Sequence, residues 1–291
     1  MLPTGAPHIY GIFGYPVHHT LSPVMQNAAF RTRKLPALYI PFAVPPETLG
    51  SALRGLVALG IRGVNLTIPH KERSIVYMDE LTPEAQNIGA VNSVKVTRGR
   101  LVGHNTDGTG FLLALQHDLG VKPKGKTVAI IGAGGAAKAI ASALLSDGAE
   151  QLFLYNRSKN RLLRLVQHLR KCFPNKKDRI FTEWLGTKKI QDLKGIELLV
   201  QATSVGMDGK SCLVEPSALH RGMSIYETIY SPAETPFLKM AYQQGLRRAN
   251  GIGMLIYQGA LAFEWWTDQE APVGEMRKAL TRVIRKFARL K

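Results

Sequence analysis

A glycine-rich turn between an apolar strand and a long helix constrains this 291-residue chain more than any other feature. The stretch KTVAIIGAGGAAKAIASALLSDGAEQLFLYNRS predicts a strand, a turn, a helix that ends near Asp147, and a second strand. Gly132, Gly134 and Ala137 have the spacing of a dinucleotide-binding turn in which alanine takes the third position. Gly132 permits the tight turn, Gly134 lets the backbone approach a pyrophosphate, and Ala137 lets the helix pack closely. The helix then offers free N–H groups to phosphates at its amino end.

The end of the second strand distinguishes between two nicotinamide cofactors. An NAD site usually has an acidic residue here, which binds the ribose 2′-hydroxyl. This chain instead has Asn156, Arg157 and Ser158, with Arg161 one turn later. A carboxylate would repel a 2′-phosphate, whereas guanidinium and hydroxyl groups bind one, so the pattern favours NADP. In an alternative that the sequence leaves open, the two arginines belong only to the basic face of a surface helix.

Strand and helix patterns alternate along nearly the whole chain, which predicts an α/β protein. Its length is enough for about two domains. Before the glycine turn, Ser22 followed by Pro23 fits the N-cap and first position of a helix. Residues 92–105 predict a hairpin, and residues 120–126, GVKPKGK, predict a connection between the domains.

The formal net charge of +17 is concentrated in two stretches. Residues 157–194 hold 12 Lys and Arg against 3 Asp and Glu, and residues 277–291 hold 7 Lys and Arg with no acids. Such a bias attracts polyanions. Both stretches also have amphipathic helical patterns, however, so we predict solvated basic faces and no nucleic-acid partner. The predicted inward residues are Leu162, Leu165, Val166 and Leu169 in the first helix, and Met276, Leu280, Val283, Ile284 and Phe287 in the second.

The remaining composition predicts a protein of the cytoplasm without a membrane partner. No apolar run has the length and composition of a membrane span, and the first residues lack the basic and apolar regions of a signal peptide. Cys172 and Cys212 have no metal-binding spacing, so we expect no metal.

Nine short motifs follow one another from about residue 9 to residue 264: YGIFGYPVHHTLSPVMQNAAF, NLTIPHKE, GAVNSV, GHNTDGTGF, GAGGAA, NRSKNR, TSVGM, YSPAETPFL and NGIGMLIYQGALAF. In order and spacing, this set resembles the shikimate dehydrogenase family. The resemblance implies reversible hydride transfer between NADPH and 3-dehydroshikimate, giving shikimate, in aromatic amino-acid (chorismate) biosynthesis. It also implies a two-domain α/β architecture with the active site in the cleft between the domains. An N-terminal α/β substrate domain, residues 1–107, is completed by C-terminal helices within 251–291, and residues 108–250 form an NADP domain with a Rossmann-type, doubly wound parallel sheet.

The same resemblance implies a role for individual residues. Lys71 and Asp107 match the catalytic pair of the family, and Thr20 and Ser22 match two hydroxyls that bind the substrate carboxylate. Positions that contact the hydroxylated ring are matched by Thr67, Asn92, Tyr230 and Gln258. Cofactor positions are matched by the phosphate loop Gly132, Ala133, Gly134, Gly135 and Ala136, by the 2′-phosphate clamp Asn156, Arg157, Ser158 and Arg161, and by Gly251 near the nicotinamide. No catalytic position is matched by a histidine, so we predict that four of them are loop residues: His18, His19, His70 and His104.

These residue types suit a small polyhydroxylated acid, because Ser, Thr, Asn and Gln both donate and accept hydrogen bonds. Structural roles stay open for three of them: Ser22 as a helix cap, and Asn92 and Gln258 as satisfied core amides. Two residues depart from the family pattern, Thr20 in place of serine and Glu227 in place of aspartate.

Two alternatives to this function stay open as well. The Thr20 departure leaves open a quinate/shikimate dehydrogenase with relaxed cofactor use. A second alternative is a polyanion-binding protein built on an inactive dehydrogenase scaffold. For the number of subunits, we expect a monomer or a homodimer.

Overall fold

The computed structural model describes residues 7–289, with side chains up to residue 285. Residues 1–6, 290 and 291, which the predicted domain ranges include, and the side chain of Phe287 therefore lie outside the described part. The chain divides into two compact units. The first contains the residues up to Thr106 and those from Leu255 onward, and the second is Asp107–Met254.

The first unit is a mixed sheet covered by helices. Its strands are β1 His8–Gly14, β2 Ala37–Ala43, β3 Gly63–Leu66, β4 Glu80–Leu81, β5 Ser93–Thr97 and β6 Arg100–His104. Its helices are α1 Ser22–Thr32, α2 Leu49–Ala58, α3 Pro83–Ile88, most of α8 Ile252–Thr267, and α9 Val273–Arg289. The strand order is β2-β1-β3-β5-β6-β4.

Strand direction brings several chain segments to one edge of this sheet. Strands β1 and β3 are parallel, so the residues after Gly14 and Leu66 leave at the same edge. Strand β5 is antiparallel to β3 with Asn65 opposite Ser93, and β6 is antiparallel to β5 with Ser93 opposite His104. The residues just before β5 and just after β6 therefore lie at this edge too. We call it the polar edge.

The two faces of the sheet have different cores, because alternate residues of a strand point to opposite sides. On one face, Phe13 of β1 belongs to an apolar cluster with Leu53 and Leu56 of α2. On the other face, Tyr10 packs at 5.2 Å between ring centroids against both Phe30 of α1 and Trp266 of α8.

The second unit has a fully parallel sheet. Its strands are β7 Thr127–Ile131, β8 Gln151–Asn156, β9 Ile180–Trp184, β10 Leu198–Gln201, β11 Ser224–Glu227 and β12 Arg247–Ala249. Its helices are α4 Asp107–Leu119, α5 Gly135–Ser146, α6 Lys159–Cys172 and α7 Pro236–Gln243. The strand order β9-β8-β7-β10-β11-β12 reverses between β7 and β10, which is the doubly wound arrangement of dinucleotide-binding folds. The predicted α/β class with a Rossmann-type parallel sheet is confirmed.

The amphipathic pattern of α6 is confirmed, because its buried residues are Leu162, Leu165, Val166 and Leu169. In α9, Met276 and Leu280 are fully buried, whereas Val283 and Ile284 are only half-buried. Within residues 7–289, no helix is long and apolar enough to cross a membrane.

Three local predictions are wrong. Residues 120–126 lie inside the second unit, between α4 and β7, and the chain passes between the units at residue 106 instead. Ser22 is the first residue of α1 and not its N-cap, because Leu21 already has near-helical angles and the Thr20 Oγ1 accepts the Ser22 N–H at 3.3 Å. His104 is the last residue of β6 and not a loop residue.

Candidate active site

The Lys71 turn leaves the polar edge directly after β3. Its backbone is fixed on both sides of the lysine: the His70 N–H donates to the Thr67 carbonyl at 2.8 Å, and the Lys71 carbonyl accepts the Val91 N–H at 2.8 Å. The His70 ring is fully buried, with Nε2 2.8 Å from the Val44 carbonyl. Burial lowers the pKa of His70, so this ring anchors the turn as a neutral group. Lys71 is half-buried.

Asn92 lies at the same edge, one residue before β5, and its amide is held in one orientation. Its Oδ1 accepts the Thr106 N–H at 2.9 Å, and its Nδ2 donates to the Thr106 Oγ1 at 2.9 Å. The same Nδ2 lies 3.4 Å from the Gln258 Oε1, while the Thr106 hydroxyl donates to the Gln258 carbonyl at 3.0 Å. The structure thus brings together two of the predicted substrate residues, Asn92 and Gln258.

A second layer of buried polar groups supports Asn92. The Asn65 Nδ2 donates to the Asn92 carbonyl at 3.1 Å and to the Ser93 Oγ at 2.9 Å. The Tyr39 hydroxyl donates to the Asn65 Oδ1 at 2.7 Å and also interacts with the Ser22 hydroxyl. Burial raises the pKa of Tyr39 well above its usual value, so the phenol stays protonated as a donor.

Four residues of this polar network were not among the predicted site residues: Tyr39, Asn65, Ser93 and Thr106. Three of them lie inside motifs of the sequence: Asn65 in NLTIPHKE, Ser93 in GAVNSV and Thr106 in GHNTDGTGF. A buried amide within an apolar strand was the available signal for Asn65, because such a group needs partners.

Three more predicted residues lie at the polar edge. The Thr20 hydroxyl accepts a hydrogen bond from the Ser22 N–H, and Ser22 is buried. Thr67 is half-buried, and its N–H donates to the Phe13 carbonyl at 2.9 Å.

Asp107, which is 2% exposed, is bonded covalently to Thr106 and is the first residue of both α4 and the second unit.

Two predicted residues, Tyr230 and Gly251, belong to the second unit. Tyr230 is half-buried shortly after β11. At Gly251, an added Cβ would lie 2.0 Å from the Thr228 carbonyl oxygen, so only glycine fits there.

The glycine turn after β7 fits a bound dinucleotide. Gly132 has a φ of +131°, and a Cβ there would lie 2.8 Å from the Ala202 carbonyl oxygen of the neighbouring strand end. A Cβ on Gly134 would meet no described heavy atom within 4 Å, so the space above the turn is open to a ligand. Gly134 is the N-cap of α5, and the free N–H groups of the first turn face this space, as a pyrophosphate requires. Ala133 lies in the turn, and Gly135 and Ala136 begin the helix.

The predicted 2′-phosphate residues lie at and just after the end of β8. Asn156 is half-buried and donates from Nδ2 to the Ser158 carbonyl at 2.8 Å, which shapes the loop. Arg157, Ser158 and Arg161 are exposed.

A buried carboxyl group lies behind the loop that follows β10. Glu227 is fully buried, accepts a hydrogen bond from the Gln201 Nε2 at 3.1 Å, and accepts another from the Thr235 hydroxyl. Burial raises the pKa of Glu227 to about 7. Gln201 also donates to the Val205 carbonyl at 2.7 Å, so it links the carboxyl group to the TSVGM loop. This departure from the family pattern is therefore accommodated by hydrogen bonds.

In the described part of the chain, no group of three or more His, Cys, Asp or Glu side chains could hold a metal ion.

Comparison with known proteins identifies the family. Family models match residues 12–94 as a shikimate dehydrogenase substrate binding domain, residues 114–179 as shikimate / quinate 5-dehydrogenase, and residues 251–281 as a shikimate 5′-dehydrogenase C-terminal domain. A shikimate dehydrogenase (NADP(+)) of Methanopyrus kandleri is 42% identical over 281 residues, which are 96% of each chain. The chain belongs to the shikimate dehydrogenase family.

Solved shikimate dehydrogenases have the same fold. One, in complex with NADP+, is 38% identical, with a TM-score of 0.88 over 96% of each chain. Another, from Thermus thermophilus in complex with NADP(H) and shikimate, is 35% identical, with a TM-score of 0.84 over 94% of this chain and 99% of that one. The predicted family and the predicted class of enzyme are thereby confirmed. The roles of the individual residues stay predictions.

Proposed function

We propose that the chain reduces 3-dehydroshikimate to shikimate with NADPH, reversibly, in aromatic amino-acid biosynthesis. One observation carries the proposal: neutral hydrogen-bonding groups and the Lys71 turn meet at one sheet edge, in a chain whose near full-length relatives are named shikimate dehydrogenase (NADP(+)). We further propose that the first unit binds substrate and the second binds cofactor. The enzyme acts on a small molecule in the cytoplasm, without nucleic acid, as a monomer or homodimer.

The polar edge suits a polyhydroxylated carboxylic acid. Asn92 and Gln258 offer amide groups whose orientations are already fixed, so little conformational entropy is lost on binding. Thr20 and Ser22 lie at the amino end of α1, where the positive end of the helix dipole favours a carboxylate. We propose that these two hydroxyls bind the acid group, and that Thr67, Asn92, Tyr230 and Gln258 bind the ring.

Proton transfer is proposed for Lys71 and Asp107. The nicotinamide of NADPH supplies a hydride, and negative charge develops on the ketone oxygen, which must receive a proton. The Lys71 ammonium donates that proton and, in the reverse direction, its amine removes it. The Asp107 carboxylate accepts a hydrogen bond from a substrate hydroxyl and balances the lysine charge.

Cofactor selection is proposed for the end of β8. Gly132 to Ala136 hold the pyrophosphate by backbone N–H groups, while Asn156, Arg157, Ser158 and Arg161 bind the 2′-phosphate. We propose that Gly251 lies near the nicotinamide, at a point where the close Thr228 carbonyl admits only glycine.

Initial rates with shikimate and with quinate, each with NADP+ and with NAD+, test this function. We expect the highest kcat/KM with shikimate and NADP+. Comparable rates with quinate and NAD+ would establish the alternative, a quinate/shikimate dehydrogenase with relaxed cofactor use. No turnover with any pair would contradict an active dehydrogenase.

Two observations favour the quinate/shikimate alternative. Thr20 adds a methyl group where the family usually has serine, and the name of one matching family model includes quinate 5-dehydrogenase. We expect Thr20→Ser to keep shikimate turnover and to change the ratio of shikimate to quinate activity by about 10-fold or more, the usual effect of one methyl group in a pocket. An unchanged ratio would show that the methyl group does not face the substrate.

A further inference from the structure

Trp184, the last residue of β9, has a large exposed surface that needs an explanation. It is 57% exposed on the outermost strand of the second sheet, although an indole ring gains most when it is buried. In register it stands opposite Asn156, the last residue of β8. The indole is therefore next to the loop that carries the proposed 2′-phosphate residues.

The indole makes two contacts with that loop. Its Nε1–H donates to the Arg157 carbonyl at 2.9 Å, and the Lys159 ammonium lies 5.7 Å from the centroid of its ring, within the range of a cation–π interaction. The neighbouring backbone is adapted to the ring: Gly186 has a φ of +56°, and a Cβ there would lie 3.4 Å from the indole.

The backbone on both sides of Arg157 is held by other hydrogen bonds. The Asn156 carbonyl accepts the Leu185 N–H at 3.0 Å, and the Asn156 side chain binds the Ser158 carbonyl, so the residues on both sides of Arg157 are fixed. The indole fixes the Arg157 peptide itself. Without it, the peptide could rotate and move the guanidinium away from a bound phosphate.

We propose that Trp184 is a positioning residue for NADP selectivity: it holds the Arg157 peptide and the Lys159 side chain so that the Arg157 guanidinium and the Lys159 ammonium meet the ribose 2′-phosphate. The inference deepens the proposed function and rests on it, because it requires NADP as the cofactor. The indole acts through its neighbours. The selectivity of the enzyme therefore depends on a strand that carries none of the cofactor motifs.

The test compares kcat and KM for NADP+ and NAD+ at saturating shikimate in the wild type, Trp184→Phe and Trp184→Ala. Phenylalanine keeps a ring for Lys159 but removes the N–H donor. We expect Trp184→Phe to raise the KM for NADP+ about three- to tenfold, the usual effect of one lost hydrogen bond, with kcat and the KM for NAD+ unchanged. Trp184→Ala, which also removes the ring, is expected to raise the KM for NADP+ further.

Tyr242→Ala is the matched control, because Tyr242 is an exposed aromatic residue of the same unit that also contacts a cation, with the Arg248 guanidinium 4.7 Å from its ring. We expect it to leave the ratio of the two KM values unchanged. Equal changes for both cofactors in Trp184→Phe, or a lower melting temperature without a change of ratio, would show a purely structural residue and overturn the inference. A wild type that does not prefer NADP+ would overturn the proposed cofactor and the inference with it. If the wild type prefers NADP+ and the ratio of the two KM values is unchanged in Trp184→Ala, the inference alone is overturned.

Discussion

At the scale of single residues, Lys71 and Asp107 have the sharpest expected effect. Lys71→Ala and Asp107→Ala are each expected to lower kcat by about 10²- to 10⁴-fold, the usual contribution of general acid–base catalysis, with a much smaller change in substrate binding. Because the two groups are proposed to act together in the same chemical step, the double variant should be little worse than either single variant. Steady-state kinetics with shikimate and NADP+ measure both effects.

Arg73→Ala is the control for Lys71→Ala, because it removes an exposed cation from the same turn, and we expect its kcat to stay within about twofold of the wild type. A nearly normal kcat in Lys71→Ala with a raised KM would make this lysine a binding residue only.

The buried carboxyl group of Glu227 predicts how the stability of the protein depends on pH. Burial raises the pKa of Glu227 to about 7, so the folded state keeps a proton that the unfolded state releases above its ordinary pKa. The stabilising contribution of this proton is complete below the unfolded pKa and is lost as the pH rises through about 7. We expect the free energy of unfolding to fall by up to about 3 kcal/mol from this group alone.

Melting temperatures at about pH 5 and about pH 8 measure this effect in the wild type, Glu227→Gln and Glu183→Gln. Glutamine cannot titrate, so Glu227→Gln should show a smaller drop between the two pH values, by several degrees. Glu183 is exposed and should behave like the wild type. An equal drop in all three proteins would mean that Glu227 is already ionised in the folded state.

At the scale of elements, the loop between β8 and α6 decides whether the arginines select a cofactor or only solvate a helix. Arg157→Ala should lower NADP affinity by about 10- to 150-fold, the effect of a lost charge-assisted hydrogen bond, and leave NAD affinity nearly unchanged. Arg164→Ala removes an exposed cation of α6, three positions beyond Arg161, and should change neither affinity. Binding titrations with both cofactors measure these affinities, and equal losses for NADP and NAD in Arg157→Ala would make the residue structural.

At the scale of the whole molecule, the net charge of +17 tests the polyanion-binding alternative. The apolar side of α6 is buried, so its cations form a solvated surface that should bind DNA weakly and be screened by salt. We expect no retention on double-stranded DNA at about 0.15 M salt, with or without NADPH. Retention that persists at that salt and that NADPH displaces would instead favour the polyanion-binding alternative.

A charge-reversed variant provides the control for this experiment. Arg164→Glu combined with Lys171→Glu alters two exposed positions of α6. We expect weaker DNA retention at low salt together with an unchanged kcat/KM, because neither residue is proposed to contact substrate or cofactor.

The sequence by itself determined the features that depend on residues close to one another along the chain. The glycine turn, the amphipathic face of α6 and the lack of an acidic residue after β8 are local patterns, and each has a direct physical reading. Local patterns failed where two readings compete. Ser22 and Pro23 fit a helix start, but Ser22 is already the first helical residue and Leu21 is the N-cap. The breaker-rich residues 120–126 only turn the chain inside one unit.

Tertiary structure alone decided which side chains support the site. Asn92 meets Gln258 across 166 positions of sequence, Trp184 binds the carbonyl of Arg157 across 27, and Gln201 binds the buried Glu227 across 26. In each pair, one partner lies at the end of a strand or inside a helix and gives no local sign of the other. Strand order and register place these partners together. For the buried amides of Asn92 and Gln201, burial adds a reason to pair, because an unpaired buried donor or acceptor costs about 1–3 kcal/mol.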